Sequence, residues 1–355
     1  MNTQLYRGLA HSLGNAATLP EVLSAARLDW KVCEMPILMQ GKHENRLFPG
    51  RKALVRCDNG HPIEVVSDKF HVHQNADLVG SMVDAANAGG ISLTSGGAMD
   101  GGAKIFVHGS IDKQFDASGS RALGDIVRLD FSLRGGHCPG TPSVLSAMAM
   151  RLSCLNGATI GDSSMNVRIT HRTRWSNSDA GRVRDFVAHA SRAFESYEDK
   201  ARRLLGHKMS RAESEIFVLE LLEPELLRLA VAQPSAPGGR DIRTGAQVLN
   251  QIMSRDSSIS VVRRLIEGEE VNGQRAGRAV CQIVGLLGDN PGSEIPGVDG
   301  TVWNAYNAAT YYVDHVRGRA SNPDSAVESA LSGEGARIKA RALNLAVEYT
   351  ERGVN

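Results

Sequence analysis

Cations gather in the middle third of this chain. Between Arg151 and Arg211 there are twelve Lys or Arg residues against six Asp or Glu, in a protein whose formal net charge is +1. That surplus is segregation of charge, the pattern expected where one surface meets a polyanion. Within it, Arg168, Arg172 and Arg174 alternate along one short segment that ends in Trp175. On extended backbone such residues can track a phosphate chain, and the indole offers a stacking surface. Lys104, Lys113, Arg121, Arg128, Arg134 and Arg151 complete the candidate cationic surface. The competing explanation is a solvated basic face that balances the acidic segment at 212–232.

Other chemistry is less well supplied. His71 and His73 lie two apart, so on a strand both point the same way, but a metal needs further ligands. His137-Cys138 and Asp314-His315 can be nominated, and nothing in their spacing selects them. There is no G-x-x-x-x-G-K-[ST] motif, which removes support for P-loop nucleotide hydrolysis. SGGAMDGGAK (95–104) is Gly-rich, yet it falls between two strands, where a hairpin turn at Asp100-Gly101 explains it better than a phosphate cradle. No G-x-S-x-G and no activated cysteine pattern is present. A metal-dependent nuclease or nucleotide-modifying enzyme would have to be assembled from dispersed His71, His73, Asp125 and Asp314.

The elements that must position these groups are read from periodicity. Asn75 is expected to cap a helix from Ala76 to about Ala88, with Leu78, Val79, Met82, Val83 and Ala86 as its apolar stripe. Three strands follow, from Ile91, over 102–111 and from Asp125 to Arg134, each alternating apolar and polar. Thr141 and Pro142 are read as opening a second helix that ends near Asn156. Upstream, 30–39, 52–58 and 61–67 read as strands, and Phe70 to Gln74 as one more. Downstream, a long helix is expected from Ser178 to Leu205 and another from Ala212 to Ala232. The best linker is 233–245; helical pieces follow around 245–253 and 258–269, then two closing helices, 301–318 and about 325–352. The trio Trp303, Asn307, Asp314, with Thr310 and Tyr311, lies along one helix at spacings of three and four. This is either packing with satisfied polar tips or a specific contact. The expected fold class is α+β: a helix–three-stranded antiparallel sheet–helix core with an N-terminal β-rich extension and a helical C-terminal half. The expected domains are 1–74, 75–232 and 246–355.

At 355 residues, with 42% hydrophobic and 22% charged, the chain is an ordinary globular protein with ample core. No run approaches the roughly 18 apolar residues of a membrane span, and no apolar signal core is seen. Cys33, Cys57, Cys138, Cys154 and Cys281 are scattered and odd in number, so free, mostly buried thiols in a reducing cytoplasm are expected.

GLAHSLG (8–14), VVSDKFHVHQN (65–75), the GG-x10-GG-x3-F hairpin, GHCPGTP (136–142), RLSCLN (151–156) and TVWNAYNAATYYVDH followed by G-x2-IKARAL resemble the phage/plasmid-like family catalogued as domain of unknown function 932. Leu9-Ala10-His11-Ser12 and Asn156-Gly157 depart from the pattern of many members. The resemblance implies a phage or plasmid protein in a bacterial host and no assigned activity. The expected helix–three strands–helix order is also similar to that of single-strand annealing proteins of the RecT and Redβ type, by fold-level analogy.

On this reading the chain binds single-stranded DNA and anneals strands during recombination or replication, with no cofactor and no nucleotide hydrolysis. The ligand contacts would come from Lys104, Lys113, Arg121, Arg128, Arg134, Arg151, Arg168, Arg172, Arg174 and Trp175. Expected partners are single-stranded DNA, further copies of the chain in a ring or filament, and a phage exonuclease or host single-strand-binding protein. A non-catalytic phage protein that binds a host protein is the alternative.

Overall fold

In the computed structural model, residues 8–16, 18–41, 44–118, 124–159, 167–169, 177–231, 252–253, 256–271, 273–318 and 323–352 are described. The expected Arg121, Arg172, Arg174 and Trp175, and the 233–245 linker, lie outside them. The architecture is α+β, with antiparallel sheets, a β-rich N-terminal region and a helical C-terminal half.

Alternating side chains build the main sheet. It contains β1 (His11–Ser12), β5 (Ser92–Met99), β6 (Lys104–Asp116), β7 (Ile126–Gly136), β8 (Ser143–Arg151), β9 (Asn156–Thr159) and β10 (Val167–Ile169). Their order is β1-β5-β6-β7-β8-β10, with β9 also on β8. The outer edge of β8 is shared, since β10 pairs with residues 143–145 and β9 with 148–151. Ile105, Val107, Leu129, Phe131, Leu133, Leu145 and Ala147 form the inner face. It is covered by α2 (Asn75–Gly89), through Leu78, Val79 and Met82, and by α3 (Asn177–Gly206), through Val183, Phe186 and Phe194. The opposite face carries Phe106, Met148 and Met150, which meet Val327 of α9 (Pro323–Ser332).

Residues 143–151 correct the expected second helix. Both faces of β8 are buried, so its Val, Leu, Ala and Met residues show no alternation, and a buried strand then reads like a helix. The core is therefore not helix–three strands–helix, and the annealing-protein analogy loses the element order on which it rested. Asn75 is likewise not the cap; Gln74 holds that position and Asn75 is the first helical residue. Asp100 and Gly101 do take positive φ (51° and 64°), but the connection is longer than two residues, because Met99 pairs with Lys104. Residues 70–74 form no strand.

A second, three-stranded sheet holds β2 (Val32–Met39), β3 (Arg46–Arg56) and β4 (Pro62–Ser67), after the short helix α1 (Leu19–Ala25). It is moored to the core by polar contacts. Gln74 exchanges two hydrogen bonds with the Val32 backbone, at 2.9 and 3.0 Å. Asn75 donates to the Leu28 and Trp30 carbonyls, and its Oδ1 lies 2.9 Å from His137 Nε2. Gly102, at φ +112°, lets Trp30 lie on the hairpin, since an added Cβ would stand 2.8 Å from the indole. Cys33 and Cys57 form a disulfide across β2 and the end of β3, correcting the expectation of five free thiols. Cys138, Cys154 and Cys281 are free.

The helical half continues with α4 (Arg211–Leu222), α5 (Pro224–Val231), α6 (Asp256–Ile266), α7 (Arg278–Leu286), α8 (Val302–Tyr311), a π-helical turn (Tyr312–Val316) and α10 (Glu334–Arg352). Pro224 divides the expected 212–232 helix, because proline cannot supply the backbone N–H that continuity requires. The acidic side expected there is engaged within the protein. Glu215 is buried and paired with Arg211, Glu220 accepts from Tyr349, and Glu223 accepts from the Gly277 N–H.

Candidate nucleic-acid surface and a buried polar joint

Register places several of the expected cations on one side of the sheet. Residues paired across strands share a face, and Phe106, Arg134, Val144 and Arg168 form one such row across β6, β7, β8 and β10. Lys104 and Arg128 lie on that same face by the period of two. Arg168 is exposed on the outermost strand, and Arg182 at the start of α3 donates to its carbonyl at 3.4 Å.

Most of the sheet cations already have carboxylate partners. Lys104 Nζ lies 2.5 Å from Glu328 and 3.0 Å from Asp100. Burial pulls its pKa down, but the hydrogen bonds to Glu328 and Asp100 outweigh this and raise it. Lys113 contacts Glu195 at 2.7 Å and the Ser191 carbonyl at 3.1 Å. Arg128 grips both oxygens of Asp130, at 2.5 and 2.9 Å, and that hydrogen bonding raises its pKa. Asp130 also meets His108 at 3.0 Å. Arg134 donates to Ser332 at 3.2 Å. A cation neutralised inside the protein contributes little to a phosphate site, so these residues make a weaker surface than their number suggests.

Arg151 is a clear correction. It is 2% exposed and serves the interior. Its Nε donates to Asp125 at 2.6 Å, while its terminal nitrogens reach the Pro291 and Gly292 carbonyls at 3.3 and 3.2 Å. Gly292, at φ +88°, permits this approach, since a Cβ there would stand 2.6 Å from the guanidinium. Asp125 takes a further hydrogen bond from Trp303 Nε1 at 2.7 Å.

This is one end of a polar joint between the sheet and the helical half. Asn156 donates to Thr310 at 2.9 Å and to the Asn307 carbonyl at 3.2 Å. Asp314 accepts from the Gly157 N–H at 2.9 Å and from Lys339 at 2.8 Å. Lys339 also donates to the Gly157 carbonyl. Trp303, Asn307, Thr310 and Asp314 are all buried, so their helical spacing is that of a packed helix with satisfied tips. The joint was not legible as such in the sequence. Its one visible signal was that RLSCLN, TVWNAYNAATYYVDH and IKARAL carry polar residues inside apolar helical and strand patterns.

The dispersed enzyme set is not assembled. His71 and His73 touch each other, with ring centroids 5.3 Å apart, while Asp125 and Asp314 are each locked in the joint. Among the described residues, no group of three or more His, Cys, Asp or Glu side chains is placed to hold a metal. No helix of the described residues is long and apolar enough to cross a membrane.

Comparisons with curated proteins and with solved structures give no match. A family model described as "Domain of unknown function (DUF932)" matches residues 62–332, from β4 to the end of α9, taking in the hairpin, β8 and the buried α8. The chain therefore belongs to the DUF932 family.

Proposed function

We propose that this protein binds single-stranded DNA and promotes strand annealing in phage or plasmid recombination or replication, without nucleotide hydrolysis. The observation that carries this reading is Arg168, exposed on the terminal strand β10 in the same cross-strand row as Arg134, with Arg182 of α3 donating to its backbone carbonyl. Arg168 and Arg182 bracket the sequence segment that contains Arg172, Arg174 and Trp175. The proposed surface is thus the β10 edge and the start of α3, where Arg184 is also exposed, and not the buried Arg151. Electrostatic grip on the backbone with bases left accessible is what annealing requires, and it needs no catalytic group.

The test is titration of a fluorescent single-stranded oligonucleotide across a salt series, with strand pairing followed in parallel. Binding should weaken linearly in log–log salt, and Arg168→Glu with Arg184→Glu should reduce affinity for all sequences alike. Absence of binding at low salt, or affinity indifferent to both substitutions and to salt, defeats the proposal. A second reading, that of a protein-interaction module, is favoured by one feature only: the exposed apolar residues on β2–β4.

A further inference from the structure

We infer that α9 (Pro323–Ser332) is an autoinhibitory cover on the outer face of the main sheet: it sets its own polar groups on the cations of that face, and single-stranded DNA displaces it to extend from Arg168 to Lys104. This regulation rests on the DNA-binding reading and concerns the same surface. The sequence of α9, PDSAVESALS, carries Asp324 and Glu328 and no Lys or Arg. The sheet face beneath it presents Lys104, Arg128 and Arg134. Glu328 reaches Lys104 of β6 at 2.5 Å, and one helical turn later Ser332 accepts from Arg134 of β7 at 3.2 Å. Val327, 2% exposed, clusters with Phe106, Met148 and Met150. Along the cross-strand row Phe106, Arg134, Val144 and Arg168, exposure rises from buried Phe106 to exposed Arg168. The helix therefore covers one end of the cationic row and leaves the β10 end open.

Three features set this contact apart from permanent packing. Glu328 gives Lys104 anionic oxygens of the kind a phosphate offers, so a DNA phosphate can take its place without stranding the ammonium. Like charges crowd the contact as well. Asp100 already lies 3.0 Å from Lys104, and Asp324 feels both of them. Burial pushes the Asp324 carboxyl up, and the neighbouring Asp100 charge adds to this. Three carboxylates around one ammonium hold α9 less firmly than the short ion pair suggests. Finally, the anchorage is small. Only Val327 and Ala330 of the ten residues are buried, and the Glu328 side chain is 46% exposed. An ion pair in that setting contributes little, and an element with so little buried apolar surface opens locally at low cost.

The experiment combines a salt series with hydrogen exchange on the full chain, with a fluorescent oligothymidylate as the probe. Glu328→Gln keeps the side chain's size and removes its charge. Glu334→Gln, at the start of α10 and paired with Arg337 at 3.4 Å, is the charge-matched control. Glu328→Gln should bind roughly two- to fivefold more tightly than the wild type, the weight of one partly exposed ion pair. Its log–log salt slope should steepen by about 0.7, for one added phosphate contact. Lys104→Gln in the same chain should cancel the gain. In the wild type, bound oligonucleotide should speed backbone exchange in α9 and leave β6 and β7 unchanged. Binding by Glu328→Gln with none by the wild type supports the cover and the DNA reading together. Salt-dependent binding by the wild type keeps the DNA reading, but the cover is overturned if Glu328→Gln binds no more tightly than Glu334→Gln, or if α9 exchanges no faster with oligonucleotide bound. No binding by the wild type or any variant at low salt defeats the DNA reading and the cover with it.

Discussion

Lys339 on α10 and Asp314 in the π-helical turn are 2.8 Å apart, 4% and 1% exposed, and joined to the backbone of Gly157 on β9. A buried pair of this kind fixes how the helical half sits on the sheet, because each charge is tolerable only beside the other. Removing one partner strands a charge in the interior. Lys339→Met is expected to lower unfolding free energy by about 3–5 kcal/mol. Lys339→Met with Asp314→Asn removes both charges and keeps an acceptor for the Gly157 N–H, so it should recover at least half of that loss. Denaturant midpoints of the two variants check this; a double variant no better than the single one shows that the pair is not the source.

Arg151→Lys tests the correction at the other end of the joint. One ammonium cannot span Asp125 and the carbonyls of Pro291 and Gly292 as the guanidinium does. The expected loss is about 2–3 kcal/mol of stability. Affinity for single-stranded DNA should be unchanged under conditions where the variant is folded. A variant of normal stability but reduced affinity would return Arg151 to the binding surface.

The difference between what was legible and what was not follows burial. α2 and the strands β6 and β7 show their period because one face is more apolar than the other. β8 hides its period because Met148 and Met150 are buried on one face and Leu145, Ala147 and Ala149 on the other. The site residues failed for a related reason. In the sequence Arg128 and Arg134 stand on an expected strand and Arg151 on an expected helix, and nothing about the three basic residues sets Arg151 apart. Only tertiary context reveals that Arg151, at the far end of the β7–β8 pair from their connection, meets Asp125 and two carbonyls from about 140 residues away.

Acid should expose the Asp130 cluster on the outer face of the sheet. Burial pushes the Asp130 carboxyl up, but hydrogen bonds from Arg128 and His108 outweigh it and hold its pKa below the ordinary value. A folded pKa below the unfolded one means that the unfolded state binds more protons in the acid range. The stabilisation is complete above about pH 4, the unfolded value, and is lost as pH falls through the folded value. Urea midpoints between about pH 5 and pH 3 should therefore fall for the wild type. Asp130→Asn should be less stable near neutrality yet show a shallower fall over that window. Equal slopes would place the acid sensitivity elsewhere.

Cys33 and Cys57 set the last expectation. They are 24 residues apart in sequence, with no motif joining them, but β2–β3 register puts Cys33 opposite Val55, two residues before Cys57. A disulfide closing a loop of this size contributes on the order of 3 kcal/mol by restricting the unfolded chain. Thiol titration of the oxidised protein in denaturant should find three groups, Cys138, Cys154 and Cys281, and five after reduction. Cys138 should alkylate slowly in the native state, because burial, with Glu64 beside it, pushes its thiol up to about 11. Reduction should lower the denaturant midpoint of the wild type and leave Cys33→Ala/Cys57→Ala unaffected. Five thiols before reduction would show that the β2–β3 hairpin is held by its register and side-chain contacts alone.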